Sequence, residues 1–190
     1  MELGNEYFLI TSFPDFYESC FDIHAYNRIF EEKNVIIHAT SKHITYPEHW
    51  GALSVKCAIK GVEHYQCNNR FYSVDEDRYL IFNEGQFYSS YIYSDTETES
   101  FTVNFSAQFQ QCMLESFIND PDYVTANKSF EFIEKLYEYD ESISAPLKRL
   151  YKATLLKNPD INFITEIYYE LLENLMMQQF NLKKEIKKIN

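Results

Sequence analysis

The sequence predicts an α+β protein in which an antiparallel β region is followed by helices. Between about residues 34 and 106, short apolar runs with a period of two are parted by turn residues, at roughly 8–12-residue spacing. After Ser106 the apolar period lengthens to that of a helix. Composition agrees with a folded chain: 45% hydrophobic and 17% aromatic residues in 190, with 4 Gly and 5 Pro.

The elements follow in order. Phe13, Phe16, Tyr17, Phe21, Tyr26 and Phe30 have no period, so the first 30 residues are either an arm folded over a core or irregular strands. Val35-Ile36-Ile37 marks a brief β-branched strand within Asn34 to His38. Ala52 to Lys60 alternates Leu53, Val55, Cys57 and Ile59 against Ser54, Lys56, Ala58 and Lys60, the pattern of a half-buried strand. Further strands are predicted at Phe71 to Val74, Arg78 to Phe82, Phe87 to Tyr93 and Glu99 to Ser106. Turns are predicted at Lys60-Gly61, Asn68-Asn69, Asp75-Glu76-Asp77, Asn83-Glu84-Gly85 and Asp95-Thr96-Glu97, where Asn and Gly tolerate positive φ.

A helix near 107–118 carries Phe109, Cys112, Met113, Ser116 and Phe117 on one stripe, with Ser106 as its cap and Asn119-Asp120-Pro121 as its stop. Phe130, Phe132 and the residues to Tyr137 suggest one returning strand. Ser144-Ala145-Pro146 opens a helix with Leu147, Leu150, Tyr151 and Leu155 on its apolar side. Asn158-Pro159-Asp160 separates it from a last helix bearing Ile161, Ile164, Tyr168, Leu171, Leu172, Leu175 and Met176. The terminal Lys183-Lys184-Glu185-Ile186-Lys187-Lys188 suits a helix C-terminus running into a linker. The expected division is a β sensor over residues 1–140 and a helical segment over 141–190.

Charge and motifs narrow the function. With a net charge of −12 the chain is a poor match to nucleic-acid phosphate by itself. Four dispersed cysteines, Cys20, Cys57, Cys67 and Cys112, point to reduced, mostly buried thiols. No secretory or transmembrane segment is expected, which places the chain in the cytoplasm. None of His24, His38, His43, His49 and His64 makes an H-x-H pair, so no metal centre or cofactor is expected. A nucleophile elbow and a phosphate-binding loop are both missing from the sequence. Asp75-Glu76-Asp77 is simplest as a solvated turn, and Glu63 beside Lys60 as an exposed hairpin pair.

The stretch from Tyr46 to Tyr91 resembles the N-terminal domain of AraC-type transcriptional regulators. Its residues are Pro47-Glu48-His49-Trp50-Gly51-Ala52-Leu53-Ser54-Val55-Lys56, Lys60-Gly61-Val62-Glu63-His64-Tyr65, Tyr72-Ser73-Val74-Asp75 and Tyr79-Leu80-Ile81-Phe82-Asn83-Glu84-Gly85-Gln86-Phe87-Tyr88-Ser89. Ile164 to Leu175 is similar to that family's dimerisation helix. The resemblance implies a jelly-roll-like cupin barrel that senses a small-molecule effector, and C-terminal helices that form a homodimer. It further implies a bacterial, non-enzymatic protein that meets DNA only through a helix-turn-helix domain outside this chain. The pocket residues of the arabinose-responsive member have no match around Tyr88 and Thr102, so arabinose is not the expected effector.

Tyr46, Trp50, Tyr88 and Phe101 are the candidate pocket residues, since aromatics give apolar walls and Tyr hydroxyls give polar contacts. Core packing is the simpler account of each taken alone. Ile164, Tyr168, Leu171, Leu172, Leu175 and Met176 are the candidate dimer interface, against the simpler account that this stripe packs on its own domain. Two rival readings are a metal-dependent cupin enzyme and a stand-alone cupin protein-binding module.

Overall fold

The computed structural model describes residues 2–3, 6–118 and 130–189. In chain order the elements are β1 (Glu2–Leu3), β2 (Tyr7–Ile10), α1 (Ile23–Glu32), β3 (Asn34–Trp50), β4 (Leu53–Lys60), β5 (Glu63–Cys67), β6 (Arg70–Val74), β7 (Arg78–Phe82) and β8 (Phe87–Phe105). After these come α2 (Ala107–Ile118), β9 (Leu136–Glu138), α3 (Glu141–Thr154) and α4 (Ile161–Ile189). Mixed α+β architecture is thus observed. The chain divides into a β unit, residues 1–110 with 134–138, and a helical unit, residues 111–133 with 139–190.

In the β unit the strands form one open, mainly antiparallel sheet of order β1-β2-β3-β8-β4-β7-β9, with β5 also paired to β8 and β6 to β5. β2 lies parallel to β3. The long strands β3 and β8 pair along most of their length. The turn expected at Asp95-Thr96-Glu97 does not end a strand. Tyr93 pairs with His43 and Thr98 with Ser41, so residues 94–97 bulge from the ladder opposite Lys42 alone. Asn68 and Asn69 do make a tight hairpin: both have positive φ, 49° and 62°, as a β5–β6 turn of the primed type requires.

Three strand expectations change. β3 runs on to Trp50 rather than ending near His38, through Pro47 at one of its register shifts. β5 is a strand that the polar Glu63-His64-Tyr65-Gln66-Cys67 alternation did not announce. The returning strand is confined to Leu136–Glu138, where it pairs with β7. Just before it, the Glu134 carboxylate accepts from Tyr72 Oη (2.7 Å), Gln86 Nε2 (2.6 Å) and Asn68 Nδ2 (3.2 Å), which ties this segment to the sheet.

The aromatic N-terminal stretch contains a helix, α1. Asp22 caps it by accepting from the backbone N–H of His24 (2.9 Å) and Ala25 (3.1 Å). Phe30, packed with Val35 and Ala52, is its buried residue. Ser106 caps α2 as expected, accepting from Phe109 N–H at 3.3 Å. On that helix Phe109 and Met113 are buried, while Cys112 is exposed. Of the four thiols, Cys57 and Cys67 are buried, Cys20 is exposed like Cys112, and all four are free. The expected stop at Asn119-Asp120-Pro121 lies outside the described residues.

In the helical unit α3 starts at Glu141, capped by Asp140, so Pro146 falls inside the helix rather than at its first position. Proline leaves the carbonyl four residues earlier without its helical donor. That carbonyl, Ser142 O, accepts instead from Asn174 Nδ2 of α4 at 2.8 Å. Asp160 caps α4 through Asn162 N–H (2.9 Å), as expected, and the basic stretch 183–188 lies at the C-terminal end of that helix. Ile143, Leu147, Leu150 and Ala153 of α3 are buried, as are Ile164, Ile167, Tyr168, Leu171, Leu172 and Leu175 of α4. Each set repeats at three- and four-residue intervals, the stripe by which helices bury one side.

Candidate functional site

Alternation along β4 and β8 creates a cavity in the β unit. Lys56 pairs with Thr102 and Ser54 with Asn104, so a polar row of each strand lies on one face of the sheet. Leu53, Val55, Phe101, Val103 and Phe105 alternate with that row, and both sets are buried. The half-buried strand expected at 52–60 is therefore buried on both faces over most of its length. On its polar side Lys56 turns to the cavity rather than to solvent.

The cavity holds about 60 Å³ and is walled by residues of β3, β4, β5, β8 and α1 together with the arm before α1. Phe13, Phe16, Tyr26, Tyr46 and Trp50 contribute rings, and Ser90, Ser100, Thr102 and Asn104 contribute polar groups. Phe16 is central to the aromatic wall, with ring centroids 4.6 Å from Phe21, 4.6 Å from Tyr46 and 5.6 Å from Tyr26. Tyr46 Oη donates to Pro14 O at 2.7 Å, fixing the arm against β3.

Two charged side chains line the same cavity. Lys56 and Glu63 are each 4% exposed. The exposed Lys60–Glu63 hairpin pair is therefore corrected: Glu63 is buried and Ser100 Oγ donates to its carboxylate at 2.5 Å. Burial raises the Glu63 carboxyl above its ordinary range, opposed first by that Ser100 hydrogen bond and then by the charge of Lys56. Lys56 Nζ donates to Tyr88 Oη at 2.8 Å and lies 4.8 Å from the Tyr88 ring centroid. Burial pulls its ammonium down to about 8, with the Glu63 charge acting the other way. Lys56 and Glu63 influence each other at a distance, since no ion pair joins them among the described residues.

Backbone geometry keeps Tyr88 in place. A Cβ on Gly51 would stand 2.5 Å from Tyr88 Cε1, so glycine is what lets this ring lie beside the Gly51–Gln86 backbone hydrogen bond. Phe82 stacks on its other side at 4.3 Å with planes 5° apart.

Of the four expected pocket residues, Tyr46, Trp50 and Tyr88 line this cavity. Phe101 does not: it alternates with Ser100 and Thr102, and its ring meets His38 at 6.0 Å on the opposite face of β8. Lys56, Glu63, Ser100 and Thr102 are cavity residues that the sequence does not single out, although Ser100-Phe101-Thr102-Val103-Asn104 opposite Ser54-Val55-Lys56 carries the signal. Ile164, Tyr168, Leu171, Leu172, Leu175 and Met176, the expected dimer interface, are 0–3% exposed within the single chain.

The histidines are dispersed. His38 Nε2 meets Glu99 at 2.7 Å, His43 packs on Tyr93 and His64 stacks on Tyr91. His49 Nδ1 donates to Pro47 O, and burial lowers its affinity for a second proton. Among the described residues no three His, Cys, Asp or Glu side chains converge to hold a metal ion. No described helix is long and apolar enough to cross a membrane.

No protein-family model and no curated protein matches the chain. Solved structures do. A structure of apo ToxT carrying K231A, from Vibrio cholerae, matches with TM-score 0.53 at 11% identity, over 76% of this chain and 56% of that one. The chain shares the fold of ToxT. A second ToxT structure from V. cholerae, bound to (E)-4-(8-methylnaphthalen-1-yl)but-3-enoic acid, matches with TM-score 0.49 at 14% identity, over 76% of this chain and 57% of that one. The chain spans a little over half the length of the ToxT structures it matches. ToxT is an AraC-family regulator, and what the chain shares with it is the fold.

Proposed function

We propose that this chain is the effector-sensing and dimerisation part of an AraC-type transcriptional regulator, a cupin-like domain over about residues 1–140 with a helical segment over 141–190. It acts in the bacterial cytoplasm, catalyses no reaction, and reaches DNA through a domain outside this chain. The observation that carries the reading is the cavity that holds buried Lys56 and Glu63 behind an aromatic wall. A core built for stability alone gains nothing from two buried charges, because their desolvation costs several kcal/mol per ion. Effector binding would shift the populations of two dimer arrangements and so respace the attached DNA-binding domains.

Pairing through α4 belongs to the same proposal. Ile164, Tyr168, Leu171, Leu172, Leu175 and Met176 can form the seam only if α4 repacks when two copies meet, because one chain already covers them. Phe163 and Tyr169, 40% and 43% exposed on the same helix, are open to a second copy without rearrangement.

The test is a metabolite panel screened by the emission of Trp50, the chain's single tryptophan, together with melting temperature. A compound that changes emission saturably and raises the melting temperature supports an effector cavity, since a ligand of the native state stabilises it. A broad panel with no such compound would contradict it. Sedimentation of the Tyr169→Asp variant checks the pairing: a dimer that becomes monomeric supports an exposed seam, and a monomeric wild type would refute pairing.

A further inference from the structure

The β unit carries a second concavity, on the side of its sheet that faces away from the cavity. From residue 87 to 93 the strand β8 alternates. Tyr88, Ser90 and Ile92 are buried, while Phe87, Ser89, Tyr91 and Tyr93 face the other way, Phe87 56% and Tyr93 82% exposed. β8 lies here between β3 and β5, and opposed residues share the outward side. Thr45 and His64 flank Tyr91, Gln66 stands opposite Ser89, and Phe71 of β6 stands opposite Gln66. None of these is a lysine, arginine, aspartate or glutamate, in a chain where 24% of residues are. An exposed aromatic patch with few charges marks a binding surface.

A groove of about 490 Å³ crosses this face, within the range of small-molecule sites. Its walls include Gln66, Asn68, Asn69, Phe87, Ser89 and Tyr91, and Glu48 is the one charged side chain among its described lining residues. Gln66 and Asn69 are exposed, so their amides, each both donor and acceptor, are open to a ligand. Tyr91 is held in place. Its ring stacks on His64 at 4.8 Å with planes 25° apart, and His64 Nδ1 is in turn 2.9 Å from Ser73 Oγ. Tyr91 nevertheless stays 39% exposed, and a ring fixed beforehand loses little freedom on contact.

The lining narrows the occupant. Phosphate-bearing ligands are disfavoured, since the groove offers no cation and the chain carries a net charge of −12. A small quaternary ammonium needs its rings within about 6 Å. Phe87 and Tyr91 are too widely spaced for that, standing about 13 Å apart along one strand at roughly 3.3 Å per residue. Two rings so spaced on a polar floor match a short chain of linked pyranoses. Each sugar lays a C–H face on an aromatic ring, and the hydroxyls at its edge pair with amides and a carboxylate.

We propose that this groove binds a neutral oligosaccharide of a few pyranose units. Phe87 and Tyr91 are its stacking platforms, and Gln66, Asn69 and Glu48 are partners for its hydroxyls. Tyr46 and Ser90 belong to the linings of both concavities, but Phe87, Ser89 and Tyr91 face away from the cavity, so the site stands whether or not the cavity takes an effector.

The experiment titrates the full chain calorimetrically with cellotetraose, maltotetraose, xylotetraose and trigalacturonic acid. The expected result is saturable binding of at least one neutral sugar, little changed by salt, and weaker binding of the acidic one. Phe87→Ala and Tyr91→Ala should each weaken the neutral sugar roughly five- to a hundredfold, the loss that follows removal of one stacking ring from a nucleobase platform. Both side chains are exposed, so the fold should survive, which circular dichroism checks. Tyr91→Phe keeps the ring and should bind like the wild type. Leu156→Ala, at a residue 56% exposed on the helical unit, should also leave binding unaltered. No binding of any neutral sugar, or binding that ignores both alanine variants, would overturn the proposal. Trigalacturonic acid bound as tightly as the neutral sugars would overturn the neutral assignment. Self-association of the wild type that is lost in Phe87→Ala and Tyr91→Ala, seen by sedimentation, would make this face a protein seam and overturn the saccharide site.

Discussion

Among the described residues the β unit buries Lys56, Glu63 and eight uncharged polar side chains, including Ser90, Ser100, Thr102 and Asn104, whereas the helical unit buries one polar side chain, Gln179. Leucine and isoleucine dominate the stripe that α3 and α4 bury. The contrast separates two uses of an interior. Apolar helix stripes gain stability for each side chain removed from water. A polar cavity gives some of that up, and what it gains is the capacity to hold something.

The contrast can be probed from its apolar side first. Leu150→Ala removes a fully buried side chain of α3 and should cost about 2–5 kcal/mol in urea unfolding, with no effect on ligand binding by the β unit. On the polar side the sign should reverse. The double variant Lys56→Met with Glu63→Gln should be neutral or more stable by about 1–4 kcal/mol, as when buried charges give way to matched neutral groups. A loss of stability in that double variant would mean that the two charges hold the β unit together.

A pH series sharpens the same point. In the folded chain Lys56 loses its proton near 8, while in the unfolded chain it holds the proton to about 10.4. Between those values the unfolded state binds more protons at Lys56, so the Lys56 share of the unfolding free energy should climb with pH, by up to about 1.4 kcal/mol per unit, while the Cys67 thiol, raised by burial to about 11, acts the other way in the upper part of the window. Lys56→Met should remove that climb. The smallest expected effect is at a helix end: Asp140→Ala deletes the cap on Ile143 N–H and should cost about 1 kcal/mol in thermal unfolding, again without touching the cavity.

How much is legible in the sequence follows from the same contrast. Helix stripes announce which side is buried, so the existence of α2, α3 and α4, the buried side of α4 and the Asp160 and Ser106 caps can be read directly, whereas Cys112 and Ser116 of the expected α2 stripe and Leu155 of the expected α3 stripe are exposed, and α3 begins at Glu141 rather than near Ser144. Strand β7 is legible to the residue, and Asn68-Asn69 declares its turn. The interior polarity is not legible. Alternation at Ser54-Val55-Lys56 shows that a strand has two unlike faces, but it does not say which face meets water. The usual assignment sends lysine and serine outward, and here it fails because the polar faces of β4 and β8 share a cavity. Phe101 is misplaced for the same reason, since an aromatic is expected to face the pocket. Strand β8 reads as two because Asp95-Thr96-Glu97 has the composition of a turn, which a bulge shares. The helix α1 escapes because its aromatic residues follow no clean period, although Asp22 is in place to cap it.

The central claim is that Lys56 is a buried amine set in the wall of an effector cavity. Nuclear magnetic resonance of the lysine side-chain Cε and Nζ, followed through a pH titration, measures its burial directly. The predicted result is one lysine, absent from the Lys56→Met spectrum, that titrates near 8. A Lys56 that titrates with the solvent-exposed lysines would contradict it.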